Sequence, residues 1–206
     1  KGVHFEEKDE TLEKARGGSH GIGKIASNAA SDLHIMYFAN CDEEGNKHLG
    51  GTVQLIEHEY KGEYYRSTGY FTDIKHIENN KTKFYPYENN FGNIFSKDTR
   101  GLKIIIPFLR KQFKDEAKII KSICDSFFIA ILEEKLEVKV NEKILNKDTI
   151  KDYIRSEDYY TQAINEIKEA FTPLYLNTYL TKEPMDLKIS SRNKAYNFKL
   201  YFDYNL

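Results

Sequence analysis

The chain lacks any apolar run approaching the ~20 residues that cross a bilayer, and no secretory hydrophobic region opens it. A soluble, cytoplasmic protein with no membrane partner is the expectation. Cysteine is scarce: Cys41 and Cys124 lie far apart without the spacing of metal ligands, so both are read as reduced thiols and no disulfide is expected. An excess of one charge is lacking too. The 31 Lys and Arg against 32 Asp and Glu give a formal net charge of −1 and a pI near 6.7, with no dense basic run. Charge therefore offers no support for a nucleic-acid partner. Internal repeats and low-complexity tracts are also absent.

What is present is ordinary globular material: 206 residues, 40% hydrophobic and 31% charged. A compact fold of this size removes roughly 70% of the unfolded chain's surface from water, enough for one large domain or a domain plus part of a second. The chain opens at Lys1 in a charged stretch, which reads as a piece of a longer protein.

Residues 1–16 are mostly charged and read as a mobile loop or a frayed helix; a glycine-rich box follows, then small residues at helical spacing over 22–31. Residues 33–39 read as a strand apolar on both faces, and 52–60 and 63–71 as two strands about a Lys61-Gly62 turn. Residues 73–98 show little periodicity and are expected to form a long surface excursion. The apolar run 102–108 is expected to be a buried central strand. Ala117, Ile120, Ile123, Cys124, Phe127, Phe128 and Ile131 recur at three and four residue intervals, which predicts a strong amphipathic helix with both phenylalanines in the core. A strand over 136–140 turns at Asn141-Glu142 into 143–145, helices are expected over 148–155 and 159–171, and Pro173 and Pro184 punctuate the chain beyond them. Alternation over 187–189 and 196–204 predicts strands that open a second domain.

The box Gly17-Gly18-Ser19-His20-Gly21-Ile22-Gly23-Lys24 is the one motif with chemistry in it. Glycine, lacking a Cβ, lets the backbone take positive φ and bring N–H groups against phosphate oxygens, and the start of a following helix adds partial positive charge. Three nucleotide patterns fit. As a P-loop, Gly18 to Lys24 satisfies GxxxxGK, but Ile25 stands where Ser or Thr holds magnesium, and the incoming stretch is charged rather than a buried strand. As the cofactor turn of a short-chain dehydrogenase, which GGSHGIGK resembles, the box again lacks its incoming strand, the following helix is too short for a βαβ crossover, and no YxxxK pair occurs.

In the third pattern the box closes an ATP lid, and a charged segment such as 1–16 precedes it. The series from Gly18 resembles the GHKL ATPases (gyrase, the heat-shock chaperone HtpG, histidine kinases and MutL), and most of all the HtpG-like ATP-binding domain. The resemblance is nearly gapless from Gly18 to Asn40 and resumes from Gly101 to Val140, so that it covers about two-thirds of the chain with the hairpin between. It implies an α+β fold: a two-layer sandwich of a mixed or antiparallel sheet with helices on one face, of the Bergerat type. Residues 1–145 would be the second half of that domain with 1–24 as its lid, 146–183 a helical connector, and 184–206 the first strands of a following domain.

By the same resemblance, Gly18, Gly21 and Gly23 let the lid wrap a triphosphate, and the amides of Ser19, His20, Ile22 and Lys24 join them in facing its oxygens, with Lys24 as an added charge or merely a solvated helix lysine. Gly101 opens the strand on which family members carry threonine to hold adenine; here Leu102 follows, and Thr99 is the substitute. The half of the site holding the glutamate base, the magnesium-binding asparagine and the Asp-Gly turn would lie upstream. ATP and Mg2+ are therefore expected as cofactors of the intact protein only, where ATP closes the lid and drives dimerisation or domain rearrangement. The alternatives are a non-catalytic interaction module of the same fold and, further off, an NAD(P)-dependent oxidoreductase.

Other clusters have plainer readings. Neighbours in a strand point to opposite faces, so Glu57, His58 and Glu59 read as a solvated sheet edge rather than a metal site. Phe84, Tyr85, Tyr87 and Phe91 read as aromatics that a loop folds onto its own sheet, with stacking on bases or a partner as the alternative. Arg110, Lys111, Lys114, Lys118 and Lys121 read as solvated charge.

Overall fold

The computed structural model describes residues 22–77, 81–88, 91–160, 171–191 and 194–204, and of 22–25, 76–77, 81, 191 and 194 the backbone alone. The box residues Gly18, Ser19, His20 and Gly21 therefore lie outside the described residues. The protein is α+β with antiparallel sheets, and its chain divides into two compact units, Lys1–Gln112 and Phe113–Leu206.

In the first unit, α1 (Ile22–Ala29) runs into β1 (Ile35–Cys41) and β2 (Lys47–Gln54). There follow β3 (His58–Tyr60), β4 (Glu63–Tyr65), β5 (Thr68–Phe71), β6 (Asp73–Ile77), β7 (Lys81–Tyr85), β8 (Tyr87–Glu88) and β9 (Gly101–Ile105). The main sheet has the order β5-β2-β1-β9, with β8 also on β2, and every pairing in it is antiparallel. The β3–β4 turn falls at Lys61 and Gly62, both at positive φ (53° and 80°), as a two-residue hairpin turn requires.

Register decides the two faces, because cross-strand partners share one. Tyr37, Ala39 and Cys41 lie with Gly51, Leu49 and Lys47 on β2 and with Ile105, Lys103 and Gly101 on β9. Over this face Tyr37 meets Phe71 and Phe95 edge-on at 5.6 and 5.4 Å, and Tyr87 and Phe91 extend the cluster. Residues 73–98 thus bring Tyr87 and Phe91 onto their own sheet as expected, and Phe84 meets Tyr70 of β5 at 6.2 Å, although Phe84, Tyr85 and Phe91 all keep exposed surface. The surface excursion expected there contains strands: β6, β7 and β8 lie within it, and Asp73, Lys75 and Ile77 pair with Tyr85, Lys83 and Lys81.

The opposite face carries Met36, Phe38 and Asn40 with Thr52, Gly50 and His48, and α1 packs there on β1 and β2. The Phe38 ring lies so close over Gly50 that a Cβ on Gly50 would sit 2.5 Å from it. On β9 the expectation of a buried central strand fails. Among the described residues β9 pairs with β1 alone, and Leu102 is 63% exposed. Apolarity marks a strand; it does not fix where in the sheet that strand sits.

The second unit is built on α2 (Glu116–Leu132), capped by Asp115, whose carboxylate accepts from Lys118 N at 3.2 Å. It continues through β10 (Val138–Val140), β11 (Lys143–Leu145), α3 (Ile150–Arg155), α4 (Phe171–Thr181), β12 (Met185–Ser191) and β13 (Lys194–Leu200). Ile120, Cys124, Phe128 and Ile131 of α2 form a core with Leu145, Ile150, Ile154, Tyr160 and Leu176. Phe127 is not in it; at 50% exposure it stands ~100° round the helix from Phe128. The strand of residues 136–140, expected to close the first domain, pairs with β11 in a two-stranded sheet of its own. Most of the helix expected over 159–171 lies outside the described residues, and Tyr159 and Tyr160 belong to a turn. Among the described residues no helix is long and apolar enough to cross a membrane.

Candidate functional site

The glycine box enters α1 through Ile22, Gly23 and Lys24, which form its first turn. At its other end α1 is tied to the sheet by buried polar groups. Asn28, only 4% exposed, donates through Nδ2 to the carbonyls of His34 and Thr52, both at 3.0 Å, and to Thr52 Oγ1 at 3.2 Å. Thr52 Oγ1 in turn reaches Asn28 Oδ1 at 3.3 Å.

Three residues on, buried Ser31 donates from Oγ to Pro107 O at 2.7 Å and accepts from Leu33 N at 3.2 Å. Backbone bonds from Asp32 N to Phe108 O and from Arg110 N to Ala30 O, each 2.9 Å, close the seam. His34 and Phe108 take positive φ there (53° and 51°), conformations uncommon for such residues and held by these bonds. Arg110 Nη2 lies 3.1 Å from His34 Nε2; since a guanidinium only donates, Nε2 must accept, which places the imidazole proton on Nδ1. Arg110 Nε lies 3.5 Å from Asp32 Oδ1 and is buried without a hydrogen-bond partner. None of these roles was legible in the sequence, where Arg110 read as solvated charge.

The other predicted residues stand at the far end of β9. Gly101 opens that strand at φ +127°, a backbone state that a side chain would strain, and pairs with Cys41 at the end of β1. Thr99 is exposed, and its hydroxyl accepts from Lys97 Nζ at 2.7 Å. Beside it Lys47 and Asp98 form an ion pair of 2.5 Å. The hydrogen bond from Lys47 holds the Asp98 carboxyl below its usual range, and the same bond raises the Lys47 ammonium. Arg100 pairs with Glu43, and Lys103 Nζ donates to Ser96 O at 3.2 Å. No hydrogen bond or ion pair between described residues joins Thr99 or Gly101 to the α1 turn.

The remaining charged residues of the predicted clusters are solvated except Lys121, which is half-buried over the Tyr160 ring. Glu57 is exposed, as are His58 and Glu59; the His58 ring stacks on Tyr65 at 5.6 Å, and among the described residues no group of three His, Cys, Asp or Glu can hold a metal. Lys121 pairs with Asp125 at 2.8 Å and Lys118 with Asp115 at 3.7 Å, while Lys111 and Lys114 are exposed.

Chemically, the described residues supply a helix start that receives the box and a hydrogen-bonded anchor behind it. Both edges of β1, the strand that follows α1, are occupied by antiparallel neighbours, which leaves no edge for a parallel strand alongside it. Comparison with protein-family models, with curated proteins and with solved structures finds no match to the chain.

Proposed function

We propose that this chain carries the phosphate-gripping half of a GHKL-type, Bergerat-fold ATP-binding module, working in the intact protein as a nucleotide-driven conformational switch. The observation that carries the reading is the setting of the glycine box. It enters a short helix, the helix packs on a sheet, and the strand that follows is flanked on both sides by antiparallel neighbours. A Rossmann turn or a P-loop belongs to a parallel strand-to-helix unit, and the pairings about β1 do not supply one. Backbone amides freed by Gly18, Gly21 and Gly23 at a helix start suit the oxygens of a triphosphate, each charge-assisted hydrogen bond being worth about 1.5 to 3 kcal/mol.

Among the described residues no group of three His, Cys, Asp or Glu can hold a metal; on this reading the general base and the Mg2+ ligand belong to the part of the family's site that precedes the lid. On this reading Leu102 follows Gly101 where the family carries its adenine-contacting threonine, and the Thr99 hydroxyl accepts from Lys97 Nζ. Adenine recognition on this reading is therefore weak from this half.

Titration of the intact protein with a non-hydrolysable ATP analogue, beside a Gly21→Ala variant, tests the proposal. Saturable binding that the substitution weakens is the expected result. No saturable binding by the unsubstituted protein points instead to a non-catalytic interaction module, and quenching on NADPH addition to an oxidoreductase.

A further inference from the structure

The last two strands of the chain have two unlike faces. Met185, Leu187 and Ile189 of β12 pair with Leu200, Phe198 and Tyr196 of β13, so six apolar side chains share one side of the hairpin. Asp186, Lys188 and Ser190 pair with Lys199, Asn197 and Ala195 on the other. The apolar side is open to solvent, with Ile189 and Tyr196 each 54% exposed. Among the described residues β12 pairs with β13 and with no other strand, and none of them takes up the N–H and C=O groups of its outer edge. Two strands alone are marginally stable in water, whereas three or more with an apolar face hold together.

We infer that the outer edge of β12 is an interaction surface for a second copy of this chain, pairing β12 with β12 antiparallel about a two-fold axis at Leu187. Charge complementarity along the strand Met185-Asp186-Leu187-Lys188-Ile189 selects that partner. With Leu187 opposite its own copy, Asp186 faces Lys188 of the partner subunit, and symmetry repeats the pair on the other side of the axis. On the opposite face Met185 meets Ile189 of the partner subunit, and the two copies of Leu187 meet each other. Opposite charges and apolar pairs directly across strands both stabilise a ladder, and like charges destabilise it.

Lysine on an edge strand ordinarily discourages such pairing. Here each lysine would meet a carboxylate. Both groups are free to do so: Asp186 and Lys188 are exposed, and no ion pair or hydrogen bond between described residues engages either side chain, even though Lys199 stands opposite Asp186 in the hairpin. The β13 edge offers nothing equivalent. Self-pairing about Asn197 would set Lys199 against Ala195 of the partner subunit. The result is a four-stranded sheet, β13-β12-β12-β13, formed through an isologous contact that closes on itself and does not propagate. This inference does not depend on the nucleotide reading.

Sedimentation velocity across the micromolar range, with Asp186→Lys, Lys188→Asp and an equimolar mixture of the two variants, decides it. The unsubstituted chain should dimerise. Each variant alone sets like charges opposite at two places and should dimerise roughly tenfold or more weakly. The mixture should recover the unsubstituted affinity as a heterodimer, because one chain then brings two lysines and the other two aspartates. That recovery excludes misfolding as the cause of the single-variant losses. A chain that stays monomeric, variants that associate undiminished, or a mixture no better than its components would each overturn the inference.

Discussion

Replacing Asn28 probes the seam that fixes α1. Its amide is 4% exposed, donates to two backbone carbonyls and to Thr52 Oγ1, and accepts from the same hydroxyl. A net hydrogen bond is worth about 1 kcal/mol, and a buried group left without its partner costs about 1 to 3 kcal/mol. Asn28→Ala removes the donor from the His34 and Thr52 carbonyls and strands the Thr52 hydroxyl, so a loss of about 2 to 4 kcal/mol is expected. At about 4 °C per kcal/mol for a unit of this size, melting of the first unit should fall by about 8 to 16 °C. Asn28→Asp is the sharper variant. It is nearly isosteric but turns a donor into an acceptor facing two carbonyl oxygens, so it should destabilise more than alanine at neutral pH.

That excess has a definite pH dependence. The buried carboxyl is stable only when protonated, so its folded-state pKa lies above the unfolded value of ~3.9, and its penalty grows as pH rises past that value. The assay is thermal unfolding followed by tyrosine fluorescence and far-ultraviolet circular dichroism, with hydrogen exchange of the α1 amides to assign the change to the first unit. If Asn28→Ala lowers stability by less than ~0.5 kcal/mol, within the range of an ordinary surface substitution, the hydrogen bonds assigned to the seam carry no weight.

In the second unit, burial works to raise the Asp125 carboxyl, but hydrogen bonds from Lys121, Thr172 and Tyr160 together hold it below its ordinary value. A depressed folded value means that the stability it contributes is present above ~3.9 and is lost as pH falls through the folded pKa. Asp125→Asn should therefore flatten the loss of melting temperature seen between neutral pH and pH ~3; an unchanged slope would remove Asp125 from the account. Burial, followed by the nearby Asp125 charge, pushes the Cys124 thiol up to about 11, and the side chain has no exposed surface. It should resist alkylation in the native protein at mildly alkaline pH and react on unfolding; mass-mapped labelling of Cys124 in the folded chain would contradict this.

The legible part of the sequence was its local chemistry. The Lys61-Gly62 and Asn141-Glu142 turns each fix a hairpin through two residues, and the period through Ile120, Cys124 and Phe128 fixes the buried side of α2. The strands at 35–41 and 101–105 were read, but 52–60 and 63–71 are each broken in two, β6 to β8 were missed, and strand order was not legible. Residues 102–108 are apolar whether β9 sits inside the sheet or at its edge, and the sequence has no marker for the missing neighbour. Residues 73–77 and 81–85 carry no clean alternation, with Ile74 and Ile77 three apart and Phe84 beside Tyr85, so their pairing left no pattern to read.

The seam behind α1 was the least legible element, for a reason of distance along the chain. Asn28 meets Thr52 across 24 residues, and Ser31 meets Pro107 across 76, so neither partner can be found from spacing. Yet the candidate site depends on that seam mechanically. An eight-residue helix is ~12 Å long, and its C-terminal end is held by two buried side chains and two backbone bonds. With that end fixed on β2 and on the chain just beyond β9, the first turn can move chiefly by pivoting about the seam. The direction in which the Gly23 and Lys24 amides point is then set by Asn28, Ser31 and their partners far along the chain, so that glycine spacing alone leaves the aim of that helix start to the fold.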